Sequence, residues 1–183
     1  AFSPDGRRLY LAGYSNYYRD KGGGRAEKTW LGGVTCLDYE GDTPARIFTG
    51  AMDKNSGLTP GVACDGQGRV YVTDFIRDAV DVFDADGKLL KTVTVKRPVF
   101  ATVSPKTGEL YVFSWNLNGA IWATHPGLKG QSTQVPARLT VIKSADDPER
   151  VATYDLPRVI RQGGDAGWGD PTCGSDVRAA VDF

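Results

Sequence analysis

Phe2-Ser-Pro-Asp-Gly-Arg-Arg-Leu-Tyr-Leu11, Ala63-Cys-Asp-Gly-Gln-Gly-Arg-Val-Tyr-Val72 and Val103-Ser-Pro-Lys-Thr-Gly-Glu-Leu-Tyr-Val112 are three versions of one pattern. In each, a turn rich in Gly, Asp or Pro ends in a charged residue and then in aliphatic, Tyr, aliphatic. Ser3 to Tyr10, Cys64 to Tyr71 and Ser104 to Tyr111 are all seven residues apart, which aligns Cys64 with the two serines. Constant spacing within copies and irregular spacing between them predict one hairpin repeated with variable connections.

Each copy has a second half. Val34-Thr-Cys-Leu-Asp-Tyr-Glu-Gly41 aligns with Val80-Asp-Val-Phe-Asp-Ala-Asp-Gly87, and Leu139-Thr-Val-Ile142 takes the same place in the third copy. Alternating runs of this kind lead into a turn and a further strand at Arg46-Ile-Phe48, Leu89-Leu-Lys-Thr-Val93 or Arg150-Val-Ala-Thr-Tyr154. The unit is a four-stranded antiparallel meander, strands A to D, which is the blade of a β-propeller. The fold class expected is all-β. Residues 1–60 form blade one, 61–98 a minimal blade two, 99–157 blade three, and 158–183 a long connection with the first strand of a fourth blade. Three blades and a strand do not close a ring, since propellers have about four to eight blades. The chain is therefore expected to be an excerpt of a six- to eight-bladed propeller, with the remaining blades of a longer chain as its immediate partners.

Composition bounds the function classes. The 22 basic residues balance 22 acidic ones, without the basic excess of a nucleic-acid binder. No apolar run approaches the roughly 20 residues of a membrane span. Three cysteines, Cys36, Cys64 and Cys173, show no metal-ligand or haem spacing. Their odd number does not settle the compartment; an extracellular or periplasmic setting is favoured without excluding the cytoplasm.

The spacing also locates the insertions. From strand B to strand C the chain runs 27 residues from Tyr10 to Leu37, 12 from Tyr71 to Phe83 and 31 from Tyr111 to Ile142. In a meander the B–C and D–A connections leave the sheet at one end and the A–B and C–D turns at the other. The long segments therefore gather on one face, and function tends to sit on variable loops held by a rigid scaffold. That face is expected to take a protein or carbohydrate-like ligand through residues 14–33, 51–59, 114–137 and 158–177. Tyr17, Tyr18, Arg19, Trp30, Trp115, Asn116, Trp122 and Trp168 are the candidate ligand-binding residues, because aromatics can stack on sugar rings or anchor a partner. The structural alternative is that the same rings pack the long loops onto the blades.

No catalytic residue is assigned. His125 is the only histidine, which rules out a multi-histidine metal site and weakens a Ser-His-Asp arrangement. Asp81, Asp84 and Asp86 present oxygens at intervals suited to calcium, but Asp86-Gly87 is also ordinary hairpin-turn chemistry. Asp74 ends strand B of blade two facing the decorated mouth, where it is either a divalent-cation ligand or a cap on the loop backbone. No cofactor is expected, and a divalent cation such as calcium is the one considered.

The stretch Pro60-Gly-Val-Ala-Cys-Asp-Gly-Gln-Gly-Arg-Val-Tyr-Val-Thr-Asp74, continued by Val80-Asp-Val-Phe-Asp-Ala-Asp-Gly-Lys-Leu-Leu90, resembles an NHL repeat. Phe2 to Leu11 resembles the YVTN type of propeller strand pair. The resemblance spans nearly all of blade two and the A and B strands of the outer blades. It implies a broad propeller group of scaffolds, ligand and protein binders, and metal-dependent lactonases and lyases similar to gluconolactonase. The catalytic members use acidic, Asn and His ligands around the channel, and by position only Asp74 answers to them. The three expectations are a non-catalytic binding module, a divalent-metal hydrolase or lyase, and a structural scaffold.

Overall fold

The computed structural model describes residues 1–12, 33–38, 46–49, 58–115, 128, 130–131 and 136–156. Its strands are β1 (Arg8–Ala12), β2 (Val34–Asp38), β3 (Arg46–Thr49), β4 (Val62–Cys64), β5 (Val70–Asp74), β6 (Ala79–Phe83), β7 (Leu89–Thr94), β8 (Pro98–Val103), β9 (Leu110–Ser114), β10 (Arg138–Ile142) and β11 (Arg150–Asp155). They form two four-stranded antiparallel meanders, β4 to β7 and β8 to β11, and a three-stranded sheet, β1 to β3. In the last, Phe2 bridges Leu9 and the Ala1 and Tyr10 backbones bond reciprocally at 2.8 Å. Strand A of blade one is thus present as a short stub. The chain is an all-β propeller segment. The strand expected at 178–183 lies outside the described residues, and among those described no helix is long and apolar enough to cross a membrane.

The blades stack face to face, so strands of the middle blade are buried on both sides. All five residues of β5 and of β6 are buried. Side chains alternate along a strand: Val70, Val72 and Phe83 join Tyr10, Val34, Cys36 and Phe48 of blade one. Tyr71, Val80, Val82 and Val93 join Ala101, Leu110, Val112 and Ile142 of blade three. Each fully buried Val contributes about 2 kcal/mol. The outer strand β7, by contrast, leaves Leu89 and Leu90 about half exposed.

Blades two and three approach closely beside their innermost strands. A Cβ on Gly61 would lie 2.5 Å from the Val99 carbonyl oxygen, so only glycine fits. Thr73 closes this seam: its hydroxyl accepts from the Gly61 N–H at 2.9 Å and aims its proton at the Val99 and Gly61 carbonyls, 3.3 and 3.2 Å away.

The pairing corrects one alignment. Phe2 opposes Leu9, Cys64 opposes Val70 and Val103 opposes Leu110. Cys64 is therefore the counterpart of Phe2 and Val103, and Asp65 is the counterpart of Ser3 and Ser104. The turn-closing bonds agree: Ser3, Asp65 and Ser104 donate their N–H groups to the carbonyls of Arg8, Arg69 and Glu109. The middle hairpin is one residue shorter, and a seven-residue spacing counted from Cys64 hides that.

Candidate functional site

Both kinds of connection from the decorated end meet where the structure describes them. Between β5 and β6, Asp74 folds its side chain back over the turn. Its Oδ1 accepts from the backbone N–H groups of Arg77 (3.0 Å), Ile76 (3.1 Å) and Leu58 (3.4 Å). A carboxylate with several backbone donors is a strong local organiser, and Leu58 belongs to the segment arriving from blade one. Asp74 thus ties the B–C turn to the D–A connection. Its Oδ2 lies 3.6 Å from the Arg77 guanidinium, which is bound more closely to Asp81, at 2.7 Å. That ion pair, with burial opposing it, raises the Arg77 pKa.

Asp78 and Arg97 form a second knot. Both adopt positive φ, 55° and 49°, conformations that cost a non-glycine residue about 1 kcal/mol or more. Asp78 repays the strain: Oδ1 accepts from the Arg97 N–H at 2.9 Å, Oδ2 from Lys96 Nζ at 2.6 Å, and its carbonyl from the Val95 N–H at 2.9 Å. The Arg97 side chain is buried, 8% exposed. Its guanidinium donates to the Phe75 carbonyl at 3.2 Å and to the Gln131 side-chain oxygen, and lies 5.0 Å from the centre of the Phe75 ring. Around it, Leu58, Phe75, Val99 and Leu128 form an apolar cluster against which Ile76 and Trp115 pack.

The decorated end of the middle blade is therefore a rigid floor with a buried cation and an apolar rim. Trp115, one of the candidate ligand-binding residues, belongs to this rim, its ring 6.3 Å from Phe113. Tyr17, Tyr18, Arg19, Trp30, Asn116, Trp122 and Trp168 lie outside the described residues. Among the described residues no group of three or more His, Cys, Asp or Glu is placed to hold a metal ion. Asp84 is used as a turn cap, its Oδ1 accepting from the N–H groups of Lys88 and Asp86 at 2.9 and 3.0 Å. Asp81 is engaged by Arg77 and by the Thr92 hydroxyl at 2.6 Å.

Two features were not found by sequence reasoning. Arg97 had no signal beyond its place before Pro98, because its role depends on Phe75 and Gln131 from distant parts of the chain. The second is an open cleft of about 660 Å³ on the opposite end of the blades, between the short turns of blades one and two.

No family model matches the chain, so the likeness to NHL and YVTN repeats stays a resemblance of sequence pattern. No curated protein matches it either. Among solved structures, it is similar to hydrazine synthase of Kuenenia stuttgartiensis at 20% identity, covering 85% of this chain and 34% of that one with a TM-score of 0.50. It is also similar to regucalcin, a calcium-binding protein of Agrobacterium tumefaciens, at 21% identity, 68% and 40% coverage and a TM-score of 0.47. A gluconolactonase of Xanthomonas campestris follows at 21% identity, 61% and 32% coverage and a TM-score of 0.45. The chain spans at most 40% of the length of these proteins. Similarity at this level speaks for the fold.

Proposed function

We propose that this chain is the recognition segment of a β-propeller that binds a protein or carbohydrate-like ligand through the end of the blades carrying the long B–C and D–A connections. The observation that carries this is the floor at that end. Asp74, Asp78 and Arg97 lock the middle blade's connections with buried, charge-assisted hydrogen bonds, and Trp115 packs on the apolar rim. A rigid base under long aromatic-rich segments is how a fixed scaffold presents variable recognition loops. Tyr17, Tyr18, Arg19, Trp30, Trp115, Asn116, Trp122 and Trp168 are the residues proposed to meet the ligand.

The second reading, a divalent-cation-dependent hydrolase or lyase of the gluconolactonase-like kind, is favoured by Asp74. Its carboxylate is 4% exposed at the end of β5, with one oxygen committed to backbone and the other only 3.6 Å from a cation.

One set of measurements separates the two. Glycan-array and partner-capture binding, elemental analysis and lactone hydrolysis are followed on the protein and on Trp115→Ala and Asp74→Asn. Metal-free binding that weakens in Trp115→Ala supports recognition. Stoichiometric metal with lactone hydrolysis, both lost in Asp74→Asn, replaces it with the enzyme.

A further inference from the structure

The three repeat tyrosines are equivalent in the sheet but not in their hydrogen bonding. Tyr71 donates its hydroxyl to Asp65 Oδ2 at 2.9 Å, and the Arg69 Nε–H donates to the same oxygen at 2.6 Å. Tyr111 donates to Glu109 Oε2 at 2.9 Å. In both, a carboxylate of the same hairpin accepts the hydrogen bond of the phenol. Blade one keeps the arginine and the tyrosine, as Arg8 and Tyr10, and has Ser3 where blade two has Asp65. Tyr10 is 1% exposed, and among the described residues its buried hydroxyl has no acceptor for its proton. Arg8 directs its guanidinium at the phenol oxygen, a contact that raises the Arg8 pKa, yet a guanidinium offers only donors. Among the described residues the proton of Tyr10 thus has no acceptor, a costly state for a buried group.

Tyr10 also lines the cleft of about 660 Å³ between blades one and two, together with Ser3, Arg7, Arg8, Gln67 and Asp86. We propose that this cleft is a carboxylate-binding site, in which a ligand carboxylate takes the place that Asp65 holds in blade two and accepts from the Tyr10 hydroxyl and the Arg8 guanidinium. Arg8 is the movable part. It now donates to the Ala85 carbonyl at 2.5 Å and stands 3.8 Å from Asp86, whose side chain is 88% exposed; an exposed, long ion pair of this kind is weak. Exchange of a neutral carbonyl for a carboxylate gives Arg8 the stronger, charge-assisted partner.

The remaining charges define the ligand class. Asp5 is occupied, accepting from the Ser3 hydroxyl at 2.6 Å and the Arg7 N–H at 3.1 Å. Asp38 and Asp86 also border the cleft, so it suits a single carboxylate on an otherwise neutral or cationic molecule and repels polyanions such as phosphate.

The test is calorimetric titration of the full chain with acetate, trialanine, trialanine amide and inorganic phosphate, with the Tyr10 ring followed by NMR. Acetate or trialanine is expected to bind saturably and to shift the Tyr10 resonances, with phosphate and trialanine amide silent. Binding by trialanine alone identifies a peptide C-terminus as the source of the carboxylate; binding by both identifies small acids. Tyr10→Phe and Arg8→Gln should each weaken binding about tenfold. Ser3→Asp, which supplies the carboxylate from within, should abolish binding and raise Tm. The proposal is overturned by no saturable shift up to about 50 mM acetate or trialanine, by phosphate binding as tightly, or by undiminished affinity in Ser3→Asp. Should Ser3→Asp not fold, undiminished affinity in Tyr10→Phe overturns it equally.

Discussion

Asp78 accepts the backbone N–H of Arg97 at 2.9 Å, and both residues sit in the left-handed region of backbone space. Neither conformation is held by glycine, so the bond between them carries the strain of both. Asp78→Ala removes that acceptor and the partner of Lys96, and is expected to destabilise the protein by about 2 kcal/mol. Asp78→Asn keeps the backbone acceptor and a residue tolerant of positive φ, and should lose less than half as much. Denaturant midpoints of the two variants check the order; equal losses would show that the backbone bond is not what holds the knot.

Glycines separate by what surrounds them. Gly61→Ala drives a methyl to 2.5 Å from the Val99 carbonyl, and Gly87→Ala to 2.7 Å from that of Phe48 at a φ of +88°. Both clashes are with backbone, and each is expected to cost about 2–3 kcal/mol. Gly66 has nothing within 4 Å of a new Cβ, so Gly66→Ala should stay within about 0.5 kcal/mol of the parent. Thermal unfolding of the three variants is sufficient to rank them.

How far the sequence could be read follows from where each interaction is encoded. The hairpins were legible because Gly, Asp and period-two apolar residues act within ten residues of themselves, and Tyr71 and Val80 carry their burial in that alternation. Asp74 as a loop cap was legible as an alternative to a metal ligand for the same local reason. The burial of Arg97 was not, since Phe75 and Gln131 lie 22 and 34 residues away. The cleft beside Tyr10 was hidden too, because it depends on what Ser3 fails to supply to a residue seven positions on.

Asp65 links the middle blade to acid sensitivity. Burial alone would raise its pKa, but the Arg69 side chain and N–H and the Tyr71 hydroxyl outweigh it and hold the carboxyl below its ordinary value. A depressed folded pKa means stability that is complete above the unfolded value of about 3.9 and is lost as pH falls through the lower folded value. Asp65→Asn should therefore cost about 2 kcal/mol at pH 7 and flatten the stability profile below about pH 4. Urea unfolding between pH 2 and 7 reads this directly; an unchanged acid slope would remove Asp65 from the account.

Cys64 gives a chemical readout of the packing between blades one and two. Burial, with Asp65 adding to it, raises its thiol to about 11. Alkylation by iodoacetamide at pH 8 is expected to be much slower in the folded protein than in urea, and to accelerate only as pH approaches that value. Peptide mapping by mass spectrometry follows the site. Fast labelling of Cys64 in the native state at pH 8 would contradict its placement.

The shorter middle hairpin has a consequence for anyone recombining these blades. Because side chains alternate between two faces, a graft displaced by one position turns every residue of the strand to the wrong side. A chimera that carries Cys64 onto Ser3, as residue counting instructs, would send the Phe2 stub out of step with Leu9. One joined at Asp65 would preserve every cross-strand partner. The unit this chain repeats is defined by its bonds, and its length is free to differ from copy to copy.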